Sequence, residues 1–145
     1  METISQSYWM PHRPSDCREF PEYRLDKLTD GGVIPADFID KPWIYVPDAF
    51  RYGGKAIAGV MKAVQGKPDE EIYIYRGAPD SILHTGDWVT LSPEYAAVYS
   101  GTGMYAGEGS ETYRYKVKAS DISFDGDDLH EFGYWGPDVH GEKVA

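Results

Sequence analysis

The stretch "EIYIYRGAP", residues 71–79, alternates as a strand does and then breaks its own pattern. Residues two apart on a strand share a face, so Ile72, Ile74 and Arg76 point one way and Tyr73 and Tyr75 the other. An arginine therefore stands on the apolar face, where a guanidinium without a partner is costly. An anion is expected beside it.

From this strand onward the texture is one of strands and short loops: "DWVTLS" (87–92), "ETYRYKVKASDI" (111–122) and "DLHEFGYW" (128–135). One helix interrupts them. In "SPEYAAVYS" (92–100), Ser92 is placed as an N-cap, Pro93 at the first helical position and Glu94 in the first turn. Upstream, residues 1–70 read as irregular and helical, broken by prolines and glycine pairs. The firm helix there is "YGGKAIAGVMKAVQGKP" (52–68), in which Ile57, Val60, Met61 and Val64 recur at helical spacing before Gly66 and Pro68 end it. The glycine-rich "SGTGMYAGEGSE" (100–111) reads as a mobile loop, and its G-x-G does not join a strand directly to a helix as a phosphate loop would.

Length and composition agree with this division. A chain of 145 residues is one domain, and 12 Tyr, 4 Trp and 5 Phe with abundant Gly and Pro favour strands and turns over a helical bundle. The net charge of −10 argues against unaided binding to nucleic acid or an anionic membrane. Acids concentrate near the C-terminus (Asp121, Asp125, Asp127, Asp128, Glu131, Asp138 and Glu142 against Lys143), which gives a solvated acidic face or a surface for a basic partner. Cys17 is the lone cysteine, so there is no internal disulfide and a reducing cytoplasm fits. No run has the length of a membrane span, and "METISQSYWMPHRP" lacks the basic start and apolar core of an export signal. The expectation is a cytoplasmic monomer of one domain, 1–145: a helical and irregular part (1–70), a strand-rich part (71–136) and a tail (137–145).

The parity argument extends to the later strands. Trp88, Thr90 and Ser92 share one face of theirs, Val89 and Leu91 the other. In the last strand Leu129, Glu131 and Gly133 share a face opposite His130, Phe132 and Tyr134, so Glu131 repeats the oddity of Arg76. Two readings stand side by side. Arg76 and Glu131 form a buried ion pair while Ser92 caps a helix and Thr90 fills a strand, or the polar residues on these strands serve a common site.

The order of these elements resembles ADP-ribosyltransferases of the Arg-Ser-Glu class: "YRG" supplies Arg76, "TLSPEYA" supplies Ser92 and "DLHEFGY" supplies Glu131. More closely, "IYRGAP", "GDWVTLSPEYA", "YRYKVKASDI" and "DGDDLHEFGYW", with the upstream "MPHRP", are similar to small phage-associated ADP-ribosyltransferases, including those within phage polyvalent proteins. The similarity covers most of residues 10–136. It implies an α+β fold, a split sandwich of two small, mostly antiparallel sheets with a helical and irregular N-terminal segment. Leu129 stands two residues before Glu131, where arginine-modifying members carry Glu or Gln, so arginine is not implied as the acceptor.

The resemblance implies NAD as co-substrate and catalysis by Glu131, Arg76 and Ser92. Glu131 would hold a ribose hydroxyl and stabilise developing positive charge, as carboxylates do in glycoside cleavage. Arg76, with its planar fork of donors, would hold diphosphate or order the pocket floor. Ser92 would position the ribose or Glu131, supported by Thr90. Gly77 would let the backbone approach the nicotinamide amide, and Tyr95 and Tyr99, one helical turn apart, either stack on its ring or belong to the core. Phe124, Asp125, Asp127 and Asp128 lie where related enzymes select their acceptor. The "DGDD" there lacks the spacing of a calcium loop and reads as an acidic turn, and no metal is assigned. His12 and Arg13 either fold over the cofactor or anchor the N-terminal segment; His84, His130 and His140 lack metal spacing.

The expected function is mono-ADP-ribosylation of a macromolecule, a protein ahead of nucleic acid, inside a bacterial cell if the gene is carried by a phage, with a host defence such as CRISPR or another host component as the target. Two rivals are an NAD glycohydrolase toxin, in which water takes the ribose, and a non-catalytic acidic inhibitor.

Overall fold

The alternation at Glu71 becomes the longest ladder in the molecule. In the computed structural model, which describes residues 13–29, 33–35, 37–45, 49, 51–101, 103–124 and 128–144, β1 (Glu71–Ala78) pairs antiparallel with β4 (Glu111–Lys118). Its faces separate as the parity requires: Ile74 and Ala78 are fully buried and Arg76 is 8% exposed, while Tyr73 opposite them is 44% exposed. Cross-strand partners share a face, so Arg76 lies opposite Tyr113, and Ile74 opposite the buried Tyr115.

A second sheet is built from β3 (Trp88–Val89), β5 (Ile122–Phe124) and β6 (Phe132–Tyr134), in the order β3-β6-β5 with antiparallel pairing. It meets the first at one bridge, where Tyr75 and Thr90 exchange backbone hydrogen bonds of 2.8 and 3.0 Å. That bridge brings the end of β1, and so Arg76, to the chain segment that leads into Ser92. Two further pieces come from the expected tail. β7 (Val139–His140) pairs with β2 (Ile82–Leu83), and β8 (Glu142–Lys143) adds to the free edge of β4. Each is two residues long, too short to show an alternation in sequence.

The helix with apolar spacing is α1 (Gly54–Ala63), which buries Ile57 and Met61 in the core shared with the sheets, with Val64 just beyond its end. Gln65 then ties the helix end to the N-terminal part, its amide donating to the Leu25 and Met61 carbonyls at 2.7 Å each. The N-terminal part is otherwise short 3-10 turns that insert Leu25 and Leu28 into the core. Its first described stretch is strapped across β6. Pro14 occupies the space that a side chain at Gly133 would need, and the Trp135 indole N–H donates to the Ser15 carbonyl at 2.8 Å. Arg13 lies against Gly86, which leaves room for it by lacking a side chain. Arg13 and Pro14 thus pack against Gly86 and Gly133. His12 lies outside the described residues.

The fold is α+β with small antiparallel sheets. Among the described residues no helix is long and apolar enough to cross a membrane.

Candidate functional site

Arg76 has an anionic neighbour that parity did not name. Its Nη2 lies 3.8 Å from Asp87 Oδ2, with the two side chains 10% and 18% exposed. Asp87 precedes β3, and its carboxylate also accepts from the His84 backbone N–H at 2.9 Å. The guanidinium further faces the Tyr115 hydroxyl, whose pKa burial pushes up to about 12 while Arg76 pulls it back. A buried arginine near the end of β1 is thus braced by a loop carboxylate.

The sequence signals for the second helix hold in detail. In α2 (Pro93–Ala97) the Ser92 hydroxyl accepts from the Tyr95 backbone N–H at 3.2 Å, and Thr90 Oγ1 accepts from the Ser92 N–H at 3.2 Å. The Ser92 hydroxyl also donates to the Tyr52 carbonyl at 2.6 Å. Ser92 and Thr90 are 2% and 0% exposed, so both are ordering groups in this conformation. The residue that Ser92 holds, Tyr52, has φ of 50° and is the one non-glycine with positive φ among the described residues. That left-handed backbone costs about 1–2 kcal/mol, a tension commonly tolerated at sites. Gly53 beside it is required by space: a Cβ there would stand 2.7 Å from Ser92 Oγ.

Glu131 does not lie in a strand. β6 starts at Phe132, Glu131 ends the turn before it, and every residue from Leu129 to Gly136 is buried, so the two-faced reading of that segment fails. What fixes Glu131 is a side chain. The Tyr95 hydroxyl donates to its Oε1 at 2.6 Å and lies 3.2 Å from the Tyr99 hydroxyl. Burial first, and then the charge and hydrogen bond of Glu131, push the Tyr95 pKa far above its usual value, so the phenol stays a donor. Tyr99 is raised too, chiefly by burial. Ser92 and Glu131 are thereby joined through one residue, with the backbone of Tyr95 on the first and its hydroxyl on the second.

Other expected site residues take different places. Gly77 is not an open approach for a ligand: a Cβ there would meet the Ala96 carbonyl oxygen at 2.8 Å and Tyr99 at 2.9 Å, so the glycine lets α2 pack onto β1. Phe124 is in β5, 1% exposed, with ring centroids 5.7 Å from Phe38 and 5.5 Å from Phe132, a core residue unavailable to an acceptor. Asp128 accepts from the backbone N–H of His130 at 2.8 Å, so it shapes the turn. Asp125 and Asp127 lie outside the described residues. His130, read as facing away from Glu131, is 4% exposed and stacked on Tyr95, with centroids 5.0 Å apart.

Asp87, Tyr52 and His130 were missed as site neighbours. Only Asp87 had a usable signal, an acid at the mouth of the "DWVTLS" strand. Among the described residues no group of His, Cys, Asp and Glu is arranged to hold a metal. A cavity of about 660 Å3 lies elsewhere, between Ile39, Pro42 and Trp43 on one side and Ala58, Gly59 and Lys62 of α1 on the other.

Comparisons of the chain with protein-family models, with curated proteins and with solved structures find no match.

Proposed function

We propose that the chain is a mono-ADP-ribosyltransferase that moves ADP-ribose from NAD to a macromolecule, a protein ahead of nucleic acid, on a fold of the split-sandwich type. The observation that carries this is the linkage of Ser92 and Glu131 through Tyr95: a helix cap on one side and a 2.6 Å hydrogen bond to a buried carboxylate on the other. These are two members of the sequence triad, and the third, Arg76, directly precedes Gly77 in β1, the glycine at which the same helix packs onto the strand.

NAD supplies an activated glycosidic bond, whose cleavage leaves neutral nicotinamide and a ribose carbon that the acceptor takes. The chain's own groups suit that chemistry. Glu131 is 3% exposed, and a carboxylate so buried stabilises positive charge more than it would in solvent. Tyr95 occupies one of its oxygens and fixes its direction. Arg76, braced by Asp87, is the floor-ordering cation, with a fork of donors suited to diphosphate. The rings of Tyr95 and Tyr99, centroids 5.5 Å apart, supply an aromatic wall. In the setting that the phage resemblance implies, the target would be a host component of an infected bacterium, such as a CRISPR effector.

The test is to incubate the protein with NAD labelled on the adenine side and a bacterial lysate, then ask by mass spectrometry which species carries ADP-ribose. A labelled macromolecule is the expected result. Free ADP-ribose alone would replace transfer by hydrolysis, and intact NAD would leave the non-catalytic inhibitor.

A further inference from the structure

His130 directly precedes Glu131, and the proposed chemistry gives it no task. Both of its ring nitrogens face acceptors: Nδ1 lies 3.0 Å from Asp128 Oδ1 and Nε2 2.5 Å from the Arg51 carbonyl oxygen. A neutral imidazole has one N–H, whereas a carboxylate and a carbonyl offer lone pairs only. With a neutral ring, one contact sets lone pair against lone pair in a buried place. With an imidazolium both become hydrogen bonds, one of them charge-assisted. The ring also lies nearly parallel to Tyr95, 18° between planes, where an aromatic face attracts a cation.

We propose that His130 is held as an imidazolium and acts as a positioning residue, fixing the Tyr95 ring by stacking and the Arg51–Gly53 turn through the Arg51 carbonyl. The catalytic consequence rests on the transferase reading; the charge state does not. The turn is clamped twice, by His130 at Arg51 and by Ser92 at the Tyr52 carbonyl. Both clamps converge on Tyr95, the phenol that orients Glu131.

The surroundings agree. From its own segment His130 faces Asp128 and Glu131; from α2 it faces Tyr95, with Tyr99 behind. From the turn it meets Tyr52 edge-on at 6.0 Å, and the Arg51 guanidinium lies over the Tyr52 ring at 5.5 Å. Burial works against the ring's charge, but the Asp128 carboxylate, the Arg51 carbonyl and the Glu131 charge outweigh it, so the pKa is raised. Burial opposes the Asp128 charge too, and the bonds from His130 overcome it, leaving that pKa lowered. Because the folded pKa of His130 lies above the unfolded one, its contribution is complete below about pH 6.5 and is lost as pH climbs through the folded value.

The test is a titration of the full chain with 15N-labelled histidine, read by long-range proton–nitrogen NMR, with His130→Gln assigning the signal. At about pH 7 both His130 nitrogens should show imidazolium shifts, with a midpoint above the ordinary 6.5 or so. A single neutral tautomer at that pH overturns the proposal. Asp128→Asn should lower the midpoint, and an unmoved midpoint overturns the pairing. In the transferase assay, His130→Gln should lower kcat about tenfold with little change in KM and should lose the alkaline fall of the wild-type kcat. An unchanged alkaline fall in that variant removes the positioning role. If no NAD is cleaved by either protein, the transferase reading fails while the NMR midpoint still decides the imidazolium.

Discussion

Arg76 and Glu131 are both charged and both buried, at 8% and 3% exposure, yet the molecule places them by opposite means. Arg76 belongs to an eight-residue strand with one wet face and one dry face, and its direction follows from backbone pairing. Glu131 belongs to a turn before a three-residue strand whose residues are all buried, and its direction follows from the Tyr95 phenol. Parity reads a residue's side only where the two sides differ in burial. It therefore succeeded for Arg76 and carried no information for Glu131.

The largest effect should come from the side of this comparison that depends on side chains. Glu131→Gln keeps the shape and an acceptor for Tyr95 but removes the charge. NAD cleavage should fall about 10²–10³-fold with unchanged far-ultraviolet circular dichroism, as for other lost electrostatic stabilisers. Full activity in this variant would mean that Glu131 is held for structure alone. Next is Phe124→Ala, which empties the packing of β5 against Phe132 of β6 and against Phe38. It should cost about 3–4 kcal/mol in urea unfolding. A variant of native stability with an altered choice of acceptor would return Phe124 to recognition.

The sequence made the strands β1 and β4, the helix α1 and the cap of α2 legible because each has a local signature: alternation on a half-buried strand, helical spacing, and Ser-Pro-Glu at a helix start. The β2–β7 and β4–β8 pairings were not legible, since two-residue strands have no period and their partners are distant in sequence. Within the site, Ser92 was legible as a cap. Its second bond, to the Tyr52 carbonyl, was not, because it joins segments 40 residues apart. Gly77 and Phe124 looked like site residues through their neighbours in the motif. Their roles are set by what packs on them: the backbone of α2 in one case, Phe38 and Phe132 in the other.

On the Arg76 side the expected effects are smaller. Arg76→Ala leaves the Asp87 carboxylate without this cation and opens a gap beside Tyr115. The 3.8 Å separation and the remaining bond from His84 N–H limit the cost to about 2 kcal/mol in the same unfolding measurement. Arg76→Lys restores charge without the fork. If it recovers stability but leaves the KM for NAD raised, Arg76 binds diphosphate; if both recover, it is a brace alone.

Ser92→Ala is the smallest change and the one that bears on both sides, since Ser92 follows the β1 bridge at Thr90 and caps the helix that presents Tyr95 to Glu131. It removes an N-cap acceptor and the donor to the Tyr52 carbonyl. A cap alone is worth about 1 kcal/mol, and Ser92→Thr, which keeps the hydroxyl, should restore it. If Ser92 were only a cap, kcat would follow stability and be normal at low temperature, where the alanine variant is fully folded. If the hydroxyl also holds the left-handed Tyr52 turn over Tyr95, kcat stays several-fold low in the folded alanine variant, and amide exchange at Tyr52 and Gly53 speeds up while that of β1 does not. Equal protection at Gly53 in both proteins would assign the turn to the His130 clamp instead.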